Sequence, residues 1–194
     1  MKLRFAVVAL TLSLSSVAVH AQGALYLTPV AVRVSNSTVD NGLFSFLGPN
    51  QTSRMFYGVN FGGFYDLPSK QKQYEIGIDV RDSITHGNNA SLNSFLIGPR
   101  VAVSPFTHPI HPYLEPVVGL GTSRAPNTAV RVNKVQFGIF AGADYEFSRR
   151  VTFRAIEVGY SSLATASSET IGGSAVIPSA NLLSITTGLT FRLP

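Results

Sequence analysis

The chain has 194 residues, 45% of them hydrophobic, with 15 basic side chains against 10 acidic ones and no cysteine. A disulfide framework and a cysteine-borne lipid anchor are thereby excluded, and so small and scattered a basic excess does not describe a nucleic-acid surface. Beyond the N-terminus no apolar run reaches the ~20 residues of a spanning helix, so any membrane insertion must rest on strands.

Residues 1–21 read as a secretory leader. Lys2 and Arg4 precede the apolar stretch FAVVALTLSLSSVAV, and Val19 and Ala21 stand where signal peptidase takes small residues. Without Lys2 and Arg4, residues 22–194 form one domain's length with 13 basic against 10 acidic residues.

Eight segments of alternating polarity follow, predicting strands near 24–35, 53–66, 72–83, 92–103, 111–122, 135–147, 151–162 and 182–193. In the third, YEIGIDVR, the residues Tyr74, Ile76, Ile78 and Val80 share one face, with Glu75, Gly77, Asp79 and Arg81 opposite. The fourth sets Phe95, Ile97, Pro99 and Val101 against Ser94, Leu96, Gly98 and Arg100. The fifth sets Leu114, Pro116, Val118 and Leu120 against Glu115, Val117, Gly119 and Gly121. The sixth, VQFGIFAGADYEF, alternates in the same way. The first two are blurred. The seventh puts Glu157 on the polar face and Arg154 on the other, which calls for a bulge or an interfacial position. The eighth ends the chain on ITTGLTFRLP, again with a period of two.

The connections alternate as well. LPSKQ, SPFTHPI and SRR, after strands two, four and six, are short. The stretches after strands one, three, five and seven, SITHGNNAS and SRAPNTAVRVNK among them, are longer or more polar. The expectation is an all-β fold: an eight-stranded antiparallel up-and-down transmembrane β-barrel, with short periplasmic turns, longer extracellular loops and both termini on the inner side.

The polar faces carry Arg33, Glu75, Asp79, Arg81, Arg100, Glu115, Asp144, Glu146, Glu157 and Arg192. An eight-stranded barrel has room inside only for side chains, so these charges are expected to pair into a lumen network. Gly77, Gly98, Gly119, Gly138, Gly142 and Gly188 share that face and are read as space for the long arginines. Aromatics on the apolar faces fall near strand ends: Tyr26, Tyr65, Tyr74, Tyr145, Phe147 and Phe191 inner, Tyr57, Phe95, Phe137 and Tyr160 outer. Two such belts suit the two interfaces of a bilayer.

Three stretches, GPRVAVSPFTHPIHPYLEPVVGLG, RRVTFRAIEVGYSSL and TTGLTFRLP, carry a resemblance to the eight-stranded outer-membrane β-barrel family of the OmpA transmembrane type. The resemblance implies integration in the outer membrane and handling by the barrel-assembly machinery. It makes Thr186, Gly188, Phe191 and Leu193 the assembly signal, although the chain closes on Pro194 where that family ends on an aromatic.

The function expected is a small integral outer-membrane barrel with a structural or surface-interaction role, monomeric, with lipid as its solvent and no cofactor, metal or nucleic acid. A narrow channel is the alternative. An outer-membrane lipid-modifying enzyme would need Asp82, Ser83 and His86 to converge. His108 and His111 lie in THPIHP, where prolines break the geometry of a metal site, and both are read as turn residues. A soluble ligand-binding barrel would need an apolar interior.

Overall fold

The computed structural model describes residues 23–37, 39–40, 45–67, 73–103, 109–165 and 179–193. Eight strands follow in order: β1 Gly23–Asn36, β2 Ser53–Asp66, β3 Tyr74–Gly87, β4 Ala90–Val103, β5 Ile110–Arg124, β6 Arg131–Glu146, β7 Val151–Ala164 and β8 Ser179–Arg192. Each pairs antiparallel with its sequence neighbour, and β8 closes on β1 from Ala24↔Arg192 to Asn36↔Ala180. Closure leaves no sheet edge with open backbone groups, which is the condition for strands to sit in hydrocarbon.

The alternation places apolar side chains outside. Ile76, Leu120, Phe137 and Leu189 are 49%, 57%, 61% and 45% exposed on the outer surface. Arg81, Arg100, Arg154, Glu115 and Glu157 are buried within. A soluble barrel inverts this arrangement, so the interior excludes a soluble apolar-ligand carrier.

Two features depart from the expected plan. β3 and β4 run on to Gly87 and from Ala90, so most of SITHGNNAS is strand. Only Asn88 and Asn89 turn the chain, at φ 52° and 57°, the left-handed pair of a tight type I′ hairpin. The contrast in connection length holds at β1–β2 and β7–β8 and fails here and at β5–β6, where residues 125–130 are no longer a connection than 67–73 of β2–β3. Pro99 and Pro116 fall in the stretch where the β4–β5 ladder breaks off at Ile97↔Val118 and resumes at Val101↔Leu114. Proline has no N–H for a ladder, so the break is where prolines fit.

The bulge expected in β7 is present. Asp144↔Arg154 is followed by Ala143↔Ile156, and toward β8 Arg154↔Gly188 is followed by Glu157↔Thr186. Ala155 and Ile156 both face outward, and the extra residue brings Arg154 inside.

Candidate functional site

The lumen is built in layers. At mid-barrel Arg81 of β3, Arg100 of β4 and Arg154 of β7 alternate with Glu115 of β5, Asp144 of β6 and Glu157 of β7 in a closed ring. Arg81 Nη1 reaches Glu157 Oε1 at 2.8 Å, and Glu157 Oε2 takes Arg154 Nη1 at 3.1 Å. Arg154 Nε meets Asp144 Oδ1 at 3.1 Å, and Asp144 Oδ2 accepts from Arg100 Nη2 at 3.2 Å. Arg100 Nε lies 3.3 Å from Glu115 Oε1, and Glu115 Oε2 returns to Arg81 Nη2. Asp79 is attached to Arg81 at 3.2 Å and Asp66 to Arg100 at 3.6 Å. Each bridging carboxylate serves two guanidiniums, so no charge in the ring is left alone in a dry interior.

Aromatic rings cover the flat faces of the same arginines. The guanidinium of Arg81 lies 4.1 Å from the Phe140 ring centre and 5.9 Å from that of Tyr26. Arg154 lies between Tyr26 at 4.5 Å and Tyr113 at 5.0 Å, and Arg100 between Tyr113 at 4.6 Å and Phe64 at 4.0 Å. The result is a continuous series: Phe140, Arg81, Tyr26, Arg154, Tyr113, Arg100, Phe64. Guanidinium edges hydrogen-bond carboxylates while their faces meet π-clouds, which uses both modes of arginine recognition at once. The two phenols add donors, Tyr26 to Asp79 Oδ1 at 2.9 Å and Tyr113 to Glu157 Oε2 at 2.7 Å.

On the side of the ring toward the β1–β2 connection lies a small chamber of mixed lining, where Asn60, Ser83, Ser94, Gln136, Ser161 and Ser184 share the wall with Leu96 and Phe140. Ser94 Oγ donates to Gln136 Oε1 at 2.6 Å, and Gln136 Nε2 donates to Ser161 Oγ at 3.0 Å. An apolar cap closes the chamber beyond: Val30, Val32 and Val34 of β1, Phe56, Leu92, Leu163 and Leu182, joined by Phe46 and Leu47 of the β1–β2 connection. Phe46 stacks on Phe56 at 5.0 Å and 10°. A tight turn drives these two residues into the mouth. Ser45 Oγ donates to the Gly48 carbonyl at 3.0 Å and accepts from the Gly48 N–H at 3.1 Å. The Gly48 φ of 103° suits glycine alone. At the opposite mouth Arg192 stands 3.9 Å from Glu75, and His111 Nε2 lies 3.5 Å from Glu146 Oε2.

Of the charges expected inside, Asp79, Arg81, Arg100, Glu115, Asp144 and Glu157 form the mid-barrel assembly, while Glu75, Glu146 and Arg192 line the inner mouth. Arg33 does not belong to the network: β1 turns Val32 and Val34 inward and leaves Arg33 outside, 3.4 Å from Ser53 Oγ. Tyr26 likewise leaves the girdle for the lumen, buried between two arginines. The remaining girdle residues, Tyr57, Tyr65, Tyr74, Phe95, Phe137, Tyr145, Phe147, Tyr160 and Phe191, are exposed on the outer surface, joined by Phe61 and Phe153. Thr186 and Gly188 face the lumen, and Phe191 and Leu193 face out.

The lumen glycines do not serve the arginines. A Cβ on Gly142 would press on the Tyr113 phenol, one on Gly77 on the Tyr65 carbonyl and the Asp66 carboxylate, one on Gly98 on the Pro116 carbonyl oxygen. Their smallness lets neighbouring strands and phenols approach.

Asp82 and His86 point outward and Ser83 inward, so the fold separates the three residues a hydrolase would need together. His111 is a lumen-facing strand residue and not a turn residue; His108 lies outside the described residues. Among the described residues no cluster of histidine, cysteine and carboxylate is arranged for a metal.

No protein-family model and no curated protein matches the chain. Solved structures do. Neisserial surface protein A superposes with a TM-score of 0.56 at 11% identity, over 88% of this chain and 97% of that one. Ail, the attachment invasion locus protein of Yersinia pestis, superposes in its complex with the heparin analogue sucrose octasulfate at 0.55 and 8% identity, over 89% and 98%. Both are eight-stranded outer-membrane barrels, and this chain shares their fold over the covered 88% and 89% of its length.

Proposed function

We propose that the chain is an integral outer-membrane protein with a sealed lumen, one that acts through its outward surfaces and not by passing solutes. In this reading residues 1–21 direct export and are removed, the barrel-assembly machinery recognises the C-terminal strand, and the barrel works as a monomer in a structural or surface-interaction role. One observation carries the proposal: the polarity is inverted, with an ion ring inside and an apolar band outside. Hydrocarbon is the medium in which that distribution is stable. The neighbours add support at the level of fold, since one is named a surface protein and the other an attachment protein.

The channel alternative is disfavoured by two barriers in series, the ring and the apolar cap. Eight strands leave no aqueous bore once side chains fill the interior. The test is cell fractionation with gel analysis. The mature protein should stay with outer membranes through carbonate washing and migrate differently before and after boiling. Recovery in the soluble periplasmic fraction would end the proposal.

A further inference from the structure

The outward face of β4, β5 and β6 changes character in step toward the end that carries the Asn88–Asn89 turn. Its last large apolar residues are Phe95, Leu120 and Val135, which pair in register. The next outward residues are Asn93, Thr122 and Asn133, and the next Ser91, Arg124 and Arg131. Arg124 and Arg131 are direct cross-strand partners. Like charges placed opposite one another destabilise a sheet.

Among the described residues no carboxylate offsets this repulsion. Arg124 donates from Nε to Ser91 Oγ at 3.3 Å, from Nη1 to the Thr128 carbonyl at 3.4 Å and from Nη2 to the Asn89 carbonyl at 3.3 Å. All three acceptors are uncharged. Neither arginine has an ion-pair partner among the described residues. Thr122 Oγ1 donates to Asn133 Oδ1 at 2.8 Å just below, so the platform under the pair is tied across the strands.

We propose that Arg124 and Arg131 clamp the phosphate of an outer-leaflet lipid headgroup. The inference rests on the membrane reading above and deepens it. Each arginine stands four positions beyond the apolar edge, a climb of about 10 Å along a tilted strand. Long arginine side chains span the difference from there to the headgroup layer, which begins at the hydrocarbon boundary. Paired guanidiniums suit a phosphate because Arg131 offers a planar fork to its oxygens and Arg124, held in place by its three contacts, adds its remaining Nη hydrogens. An anion between the two converts their repulsion into attraction. A membrane lipid is favoured over a soluble anion because the pair lies on the wall of the barrel directly over the apolar band, where an acyl chain below and a phosphate above are met by one molecule.

The test is native mass spectrometry of the refolded mature barrel with added phosphatidic acid or phosphatidylcholine. The wild type should retain phosphatidic acid at least about tenfold more tightly than phosphatidylcholine. R124Q/R131Q should lose most of that preference, R131Q alone part of it, and R149Q/R150Q at the inner β6–β7 turn none. Heat-modifiable migration establishes that each variant has folded, and R131Q stands in if the double variant has not. An unchanged preference in the folded R124Q/R131Q or R131Q protein overturns the proposal, as does an equal loss in R149Q/R150Q. Displacement of the lipid by millimolar inorganic phosphate would make the pair a soluble-phosphate site and overturn the lipid assignment. Failure of the wild type to insert into vesicles at all would instead strike the membrane reading.

Discussion

Tyr113 occupies the position in the lumen where three kinds of interaction meet. Its ring lies between Arg100 and Arg154, and its hydroxyl donates to Glu157 at 2.7 Å. Replacing it by Phe keeps both ring contacts and removes one charge-assisted hydrogen bond, a loss of about 1.5–3 kcal/mol. Replacing it by Leu also removes two cation–π contacts, each worth ~0.5–2 kcal/mol when desolvated. Urea titration of the refolded barrel in vesicles should therefore rank the wild type above Tyr113→Phe and that above Tyr113→Leu. Glu157→Gln is expected to cost about 3–5 kcal/mol, because it leaves Arg81 and Arg154 each short of a carboxylate in a dry interior. Glu146→Gln at the inner mouth should cost under about 1 kcal/mol, since the Glu146 side chain is 37% exposed and water can take the place of its contact with His111. Equal midpoints for the two glutamines would mean that the ring contributes nothing to stability.

The hairpins and the bulge set which of these residues reach the lumen, and here the sequence was readable in part. Strands β3 to β6 show a polar and an apolar face in YEIGIDVR and its successors, and their faces are as expected. β1 misled because both its faces are apolar: Val30, Val32 and Val34 feed the cap while Leu25 and Leu27 meet the outside. With no contrast between faces, parity has no sign, and nothing in the sequence of β1 shows that Arg33 faces out and Tyr26 in. Arg154 escaped for another reason: one extra residue reverses the parity of everything before it. The bulge can be tested directly. Deleting Ala155 makes Arg154↔Gly188, Ile156 and Glu157↔Thr186 consecutive, with Arg154 and Glu157 still on one face. The deletion variant should fold and show heat-modifiable migration, whereas deleting Val158 should not, because it turns the residues on one side of it to the wrong medium. At the β3–β4 turn, Asn89→Gly should be tolerated and Asn89→Val should lose about 1–2 kcal/mol, since a β-branched residue resists φ 57°.

At the scale of the molecule two consequences separate a membrane barrel from any soluble reading. The first concerns the outer surface. Val158 lies mid-strand on the outward face of β7 and is 40% exposed, while Ser162 lies near its end. In water either position accepts arginine at little cost. In a bilayer Val158→Arg should lose about 2–4 kcal/mol and Ser162→Arg ~0–1 kcal/mol, a gradient that only hydrocarbon produces. Vesicle urea titrations read it directly, and a flat profile would mean that the apolar band does not face lipid. The second concerns the bore. The ring of Arg81, Glu157, Arg154, Asp144, Arg100 and Glu115 binds five strands together across the lumen, and the cap of Phe46, Leu47 and Phe56 closes the mouth on the β1–β2 side. An ion would have to shed its water to pass the cap and then break paired charges to pass the ring. Either step suffices to stop it, because desolvating an unpaired ion costs several kcal/mol even in a relaxed interior. Refolded wild-type protein in planar bilayers should therefore give no single-channel steps, and neither should Phe46→Ala/Leu47→Ala, which opens the cap but leaves the ring intact. Conductance appearing in that double variant alone would place the seal at the cap and reduce the ring to a stabilising brace; conductance in the wild type would replace the sealed barrel with a pore.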